Sequence, residues 1–269
     1  MDRRLGLIAG SGELPLAIAA AARDMGYTVT VVGLESITDP EISSYAGDVR
    51  WVNVGRLGAL IDTLKQAGIS KAVFAGKIHK SIIYEGKVIP DLKLVKLFLT
   101  LKDKSDDSIM LAITGALEAE GIRLQKTTDF TGPLMAPHGV LTKKKLSADA
   151  RKDIEFGWSI AKEIGRLDIG QTVVIKEQAV MALEAIEGTD EAILRGGRLA
   201  GKGAVVIKVS KPEQDMRFDV PVVGIQTLRS MAAVKAGTLA IEAGKSILLN
   251  KEHFIREADK AGICVVGHS

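Results

Sequence analysis

The first half of the chain alternates two hydrophobic rhythms. Short apolar runs that end in glycine or polar residues occupy residues 5–10, 27–34, 49–54 and 71–76. Between and after them lie longer stretches with apolar positions on one side, at 13–26, 57–68 and 106–121. The short runs are β-branched or fully apolar and predict strands. The longer ones carry good helix formers, a stop glycine at Gly26, and acids in the first turn of 106–121, which suits the helix dipole. Strand and helix in strict alternation predict a parallel, doubly wound sheet.

The rhythm breaks over residues 124–147, which hold two prolines, two glycines and the basic run Lys143, Lys144 and Lys145. A domain crossing is placed here. A helix is predicted over 150–167, then β-rich segments at 171–186, 204–210 and 217–224, with a hairpin around residues 176–178 that lacks the favoured Asn-Gly or Asp-Gly turn. Helix-then-strand patterns follow at 227–244 and 251–267. The expected architecture is α/β throughout: an N-terminal Rossmann-like parallel-sheet domain over residues 1–135 and a second C-terminal α/β domain over 136–269.

Composition narrows the function classes. The 269 residues are 46% hydrophobic and 26% charged, the balance of an ordinary soluble globular protein. Aromatics are only 4% and the net charge is +3, so neither a base-stacking surface nor a strong nucleic-acid footprint is present, and no nucleic-acid partner is expected. The single cysteine, Cys264, rules out an internal disulfide and a cysteine-rich metal cluster, and it reads as a small apolar residue of a C-terminal strand. The N-terminus resembles no signal peptide and no run is long enough to span a bilayer, so a cytoplasmic location is expected.

Several short stretches carry candidate chemistry. Gly6, Gly10 and Gly12 lie between the first strand and first helix, where glycines let backbone approach a phosphate; Ser11 adds a hydroxyl, and Glu35 follows the second strand where a ribose-binding acid would stand. A tight turn without a ligand accounts for the same glycines. A short-chain dehydrogenase would need Tyr-x-x-x-Lys, but Tyr27, Tyr45 and Tyr84 are each followed four residues on by valine. The P-loop-like end at 243–246 lacks its earlier glycine, since position 239 is leucine. Lys77 and His79 follow the fourth strand candidate, at the edge where ligands bind such sheets. Asp106 and Asp107 read either as a helix start or as site acids. Glu187, Thr189 and Asp190 make an oxygen-rich cluster that suits Mg²⁺, or a plain helix cap.

The stretch 214–224 is the least ordinary. On a strand, Asp215, Arg217 and Asp219 would share one face and Met216 and Phe218 the other. An exposed edge with ion pairs is one reading. The other is a working face in which the aspartates hold a metal or polarise water and Arg217 meets a phosphate.

Taken in order, residues 6–15, 74–78, 105–121, 168–175, 185–195, 211–224 and 243–267 resemble the magnesium-dependent UDP-2,3-diacylglucosamine pyrophosphatases of lipid A biosynthesis, the two-domain kind unrelated to calcineurin-like phosphoesterases. The pairing of Glu-Gly-Thr-Asp (187–190) with Gln-Asp-x-Arg-Phe-Asp (214–219) is its most specific part. The resemblance implies hydrolysis of UDP-2,3-diacylglucosamine to UMP and 2,3-diacylglucosamine 1-phosphate (lipid X), with Mg²⁺ as cofactor and the substrate between the two domains. It implies catalytic roles for Asp215, Arg217 and Asp219, with Asp215 first. Substrate-binding roles follow for Gly10, Ser11, Gly12, Lys77, Asp106, Asp107, Glu187 and Thr189, and metal binding for Asp190 and Asp215. Transient contact with the inner membrane and a homodimer are compatible with it. Leu94, Leu97 and Phe98 read as an acyl-chain groove or as the core face of an amphipathic helix. The alternatives are a non-catalytic nucleotide-sugar or lipid-binding module and an NAD-dependent oxidoreductase.

Overall fold

A computed structural model describes residues 3–78, 88–101, 103, 106–212, 215–218 and 220–269. The chain forms two compact units, Met1–Thr131 with Met216–Phe218, and Gly132–Asp215 with Asp219–Ser269.

The first unit is built on a five-stranded sheet in the order β3-β2-β1-β4-β5. Its strands are β1 (Arg4–Ala9), β2 (Thr28–Leu34), β3 (Asp48–Val52), β4 (Lys71–Ala75) and β5 (Arg123–Leu124), and each neighbouring pair is parallel. Side chains alternate between the two sheet faces, and both faces are covered. Leu5, Leu7, Val29, Val31 and Val73 pack with helix α1 (Leu14–Asp24), and Ile8, Val32 and Ala72 pack with α2 (Leu57–Gln66) and α3 (Leu92–Thr100). Helix α4 (Asp106–Ala119) adds Leu117 to the second face. The Rossmann-like parallel domain is therefore present.

Helix α3 settles one pair of readings. Leu94 is buried in the second-face cluster and Leu97 and Phe98 pack against it, so these three are core and not an open acyl groove. Asp91 fixes the helix: its carboxylate accepts from the Leu94 amide at 2.8 Å and from the Gly58 amide at 2.6 Å. One carboxylate thus caps α3 and ties it to the start of α2.

The second unit carries a six-stranded mixed sheet in the order β6-β13-β11-β9-β7-β8. Three central strands, β9 (Val205–Lys208), β11 (Thr238–Glu242) and β13 (Cys264–His268), are parallel. The flanking β6 (Gly139–Val140), β7 (Thr172–Lys176) and β8 (Ala179–Leu183) pair antiparallel. One face packs on α5 (Ala148–Arg166), the other on α6 (Thr189–Ala200), α7 (Ile225–Ala233) and α8 (Lys251–Lys260). Cys264 is wholly buried in β13. The hairpin β7–β8 forms with Glu177 and Gln178 both at positive φ, 51° and 58°, without the glycine such a turn favours. Buried Asp153 compensates, since its carboxylate accepts from the Gln178 amide at 2.7 Å and the Glu177 amide at 3.2 Å.

The expected strand over 217–224 is not there. Among the described residues of this stretch only β10 (Val222–Val223) is a strand, and it pairs with β12 (Ile247–Leu248) in a separate two-stranded sheet. Met216–Phe218 is a turn, and its backbone bonds go elsewhere than to a ladder. The Thr127 amide donates to the Met216 carbonyl at 2.8 Å, and the Thr127 hydroxyl lies 3.0 Å from the Phe74 carbonyl and 3.1 Å from that of Arg217. Aspartates and Pro221 disfavour a paired strand here. A shared strand face for Asp215 and Arg217 therefore does not exist, and Asp219 lies outside the described residues.

Candidate functional site

In the first unit the loop after β1 meets the loop after β4. The Ser11 amide donates to the Lys77 carbonyl at 2.9 Å, the Lys77 amide returns a bond to the Ser11 carbonyl at 3.0 Å, and the Ser11 hydroxyl also donates to Lys77 O at 2.9 Å. Gly10 is needed for this approach, because a Cβ there would stand 2.7 Å from the Lys77 carbonyl oxygen. The Ser11 amide and hydroxyl are thus committed to protein acceptors. Gly12 differs: a Cβ on it would meet nothing within 4 Å, and it lines a cavity of about 740 Å³ with Glu35, Thr38, Asp39 and Trp51. The Lys77 side chain is exposed. Asp106 and Asp107 open α4, but their side chains lie outside the described residues, as does His79.

The second unit places a buried cation at the carboxyl edge of its parallel strands. Lys208, only 6% exposed, ends β9 after three buried apolar residues. Its ammonium donates to the Thr189 hydroxyl at 3.2 Å and to the Val222 carbonyl at 3.1 Å. The Thr189 hydroxyl in turn donates to Glu184 Oε1 at 2.9 Å, and Glu184 Oε2 accepts from the Gln171 amide at 3.3 Å. Lysine, threonine and glutamate form one relay in which every proton runs the same way. Burial of these charges is tolerated because they are hydrogen-bonded to one another.

Helix α6 brings Thr189 to that position. It approaches β7 and β8 closely at Gly196, where a Cβ would come within 2.8 Å of Val174 and Ala182. Its first turn carries Asp190, whose Oδ1 accepts from the Ser230 hydroxyl of α7 at 3.2 Å. Glu187, expected beside them, is engaged elsewhere. Arg195 bonds its Oε1 at 2.5 Å and the Leu183 carbonyl at 2.7 Å. The Arg195 hydrogen bond holds the Glu187 carboxyl below its ordinary value. Of the Glu-Gly-Thr-Asp cluster, then, Thr189 joins the buried relay, Asp190 bonds Ser230 of α7, and Glu187 forms an outer ion pair.

On the opposite face of the same sheet edge, Glu242 ends β11 and is 5% exposed. It accepts from Lys162 of α5, from Lys245 and from the Ser210 amide. Burial alone would raise its carboxyl, but the bonds from Lys162, Ser210 and Lys245 outweigh it and the net shift is downward. Arg217 belongs to the first unit, where its guanidinium pairs with Glu118 at 3.4 Å. Among the described residues no three His, Cys, Asp or Glu side chains gather as a metal cage. Asp215, grouped with the second unit, is half-buried.

The comparisons with known proteins fall on these two units in turn. Family models described as LpxI N-terminal domain and LpxI C-terminal domain match residues 4–134 and 137–266. The chain belongs to the LpxI family. A Caulobacter vibrioides protein named UDP-2,3-diacylglucosamine pyrophosphatase LpxI is 32% identical over 276 residues, covering 98% of this chain and 97% of that protein.

Sequence reasoning missed Lys208, Glu184 and Glu242. For Lys208 and Glu242 the signal was available: an ionisable residue closes each of two otherwise uncharged central strands, Val-Val-Ile-Lys and Thr-Leu-Ala-Ile-Glu. The Glu242 cluster generates a pH prediction. A carboxyl held below its ordinary 4.5 stabilises the fold above that value, and the contribution fades as pH falls through the lower folded value. Replacing Lys162 by Met is expected to cost about 1.5–3 kcal/mol at pH 7. The gap to wild type should shrink below pH 4.5, as read by urea unfolding across pH. A gap of constant size would show that Glu242 is not the group involved.

Proposed function

We propose that this chain hydrolyses the diphosphate of UDP-2,3-diacylglucosamine, releasing UMP and 2,3-diacylglucosamine 1-phosphate in lipid A biosynthesis. The observation that carries the reading is the buried Lys208–Thr189–Glu184 relay at the carboxyl edge of a parallel sheet, within the region that matches the LpxI C-terminal domain. A fixed ammonium in a partly dry wall is the group an anionic diphosphate calls for, and its attraction to phosphate oxygens is stronger there than in water. The named function of the Caulobacter relative supplies the substrate class.

In this reaction water adds to one phosphorus, the bridging P–O bond breaks, and a phosphate monoester leaves on either side. The Lys208 ammonium neutralises charge that builds on the phosphate oxygens. Glu184, through Thr189, keeps that ammonium oriented. Asp215 is assigned to accept the proton of the attacking water. Asp190 is half-buried in the first turn of α6 and accepts from the Ser230 hydroxyl.

Mg²⁺ fits this donor set in a limited way. It takes one or two carboxylates and leaves the remaining positions to water and substrate phosphates, so a closed protein cage is not required. Asp190 and Asp215 would hold it, and it would supply charge neutralisation at the diphosphate. Gly12 and Lys77 remain assigned to the nucleotide side of the substrate.

Contact with a membrane surface is part of the same reading. Among the described residues no helix is long and apolar enough to cross a bilayer. Helix α3, however, is apolar on its outer side as well as its inner one. Leu92 and Leu99 are 79% and 80% exposed, Val95 is exposed between them, and Lys96 lies one residue on. Leucines at this spacing with lysines beside them fit an anionic lipid interface.

Two experiments follow. Replacing Asp215 by Ala or Lys208 by Met is expected to lower UMP release at least 100-fold with the fold intact by circular dichroism, and EDTA is expected to stop the wild-type enzyme until Mg²⁺ is restored; turnover that persists in the variants refutes the site, and turnover in chelator refutes the metal. Separately, Leu92→Glu with Leu99→Glu is expected to abolish co-sedimentation with vesicles containing anionic phosphatidylglycerol. Equal binding by wild type and variant would place the lipid contact off α3.

A further inference from the structure

In the first unit, the five described strands run parallel and their carboxyl ends share one edge, where open α/β sheets take ligands. The strand order reverses between β1 and β4, but the crevice there is bridged by the Ser11–Lys77 backbone pair. The space lies instead at the ends of β1, β2 and β3. Two cavities open there, of about 740 and 400 Å³, and both are lined by Glu35 and Trp51. Each is of the size small ligands occupy, about 300–1,000 Å³.

Trp51 is 41% exposed on β3, opposite Gly33 in the β2–β3 ladder. Three carbons of its six-membered ring, Cζ3, Cε3 and Cη2, stand 2.7, 2.8 and 3.3 Å from where a Gly33 Cβ would be. The ring therefore covers Gly33, and any larger residue would push it off the sheet. One side of the indole is backed by strand β2 and the rest is left to the cavity. Glu35 is fixed beside it, because its amide donates to the Val52 carbonyl at 3.0 Å while its carboxylate stays exposed.

The loop that carries Glu35 is shaped in advance. Ser36 holds a positive φ of 62° without being glycine. Buried Thr38 locks the loop, accepting from the Leu34 amide at 2.7 Å and donating to the Ala9 carbonyl. A strained residue held by its surroundings beside a cavity, with a backed aromatic and an exposed carboxylate, is the makings of a recognition surface. An aromatic side chain stacks on any planar base, and an acid at the end of the second strand accepts the two hydroxyls of a ribose.

We infer that this edge is the nucleoside subsite, with the uracil of a uridine nucleotide stacked on Trp51 and its ribose hydroxyls donating to Glu35. The choice of uridine rests on the function proposed above; the choice of a nucleoside rests on the cavity itself. The Glu35 carboxylate repels phosphate, so the phosphates lie toward Gly12, where nothing fills the space beside the backbone.

The test uses the intact chain and UMP. Only two tryptophans are present, Trp51 and Trp158, so UMP is expected to quench fluorescence saturably in the wild type and not in Trp51→Ala. Calorimetry should show UMP affinity reduced at least fivefold by Trp51→Ala and recovered by Trp51→Phe, which keeps a ring. Glu35→Gln should weaken UMP at least fivefold and leave 2′,3′-dideoxy-UMP unchanged. UMP binding that none of these variants alters, or no saturable binding of UMP or UDP at millimolar concentration, overturns the subsite. Turnover of the diphosphate substrate is scored separately. UMP binding without turnover removes the hydrolase and keeps the subsite, and turnover with unaltered UMP affinity in the variants does the reverse.

Discussion

A charge driven into an apolar wall has to be answered by its neighbours, and much of the second unit is arranged around one such charge. Lys208 ends a strand whose preceding residues are all core. An isolated ammonium in that position would cost several kcal/mol. Its bonds to Thr189 and to the Val222 carbonyl therefore constrain more than themselves. They fix the first turn of α6 and the first residue of β10. Glu184 completes the relay from β8's far end, and the β7–β8 hairpin that delivers it is held in turn by Asp153.

The same constraint sorts polar from apolar positions in both sheets. Parallel strands covered on both faces can keep ionisable groups only at their ends. In the second unit these include Lys208 and Glu242, pointing to opposite faces, one toward α6 and the other toward α5. In the first unit Glu35 plays the corresponding part at the end of β2. The three acids and bases differ in how they are treated. Glu242 is saturated by three donors, Lys208 is embedded in a relay, and Glu35 faces open space. Saturation reads as structure, whereas the exposed carboxylate beside a cavity is the group the proposed nucleoside subsite uses.

Much of this architecture was legible in the sequence, because the apolar periods of residues 4–75 and 106–121 are those of covered parallel strands and their helices. The α/β character of both halves follows from that pattern. What was not legible came from tertiary demand. The stretch around Met216–Phe218 alternates like a strand, yet its carbonyls are taken by Thr127, a residue 90 positions from Arg217 in sequence. The outer and inner sides of α3 are both apolar, so periodicity alone does not say which leucines are core. Glycines around position 10 match a phosphate turn in spacing, and only the approach of Lys77 shows what Gly10 makes room for.

That last point bears on how a Rossmann-like sheet can be re-used. In such folds the reversal of strand order leaves a crevice, and glycines let a phosphate enter it. Here two backbone hydrogen bonds between Ser11 and Lys77 occupy that place, and each uses a donor that a phosphate would otherwise receive. A ligand arriving at this edge must take its contacts from elsewhere. The nearest unfilled groups lie along β2 and β3, where Gly33 has surrendered its side chain to seat Trp51. Closing the usual opening and exposing an aromatic two strands away are thus parts of one arrangement, and the proposed nucleoside contacts come from side chains at the strand ends while only Gly12 of the glycine loop is left beside open space.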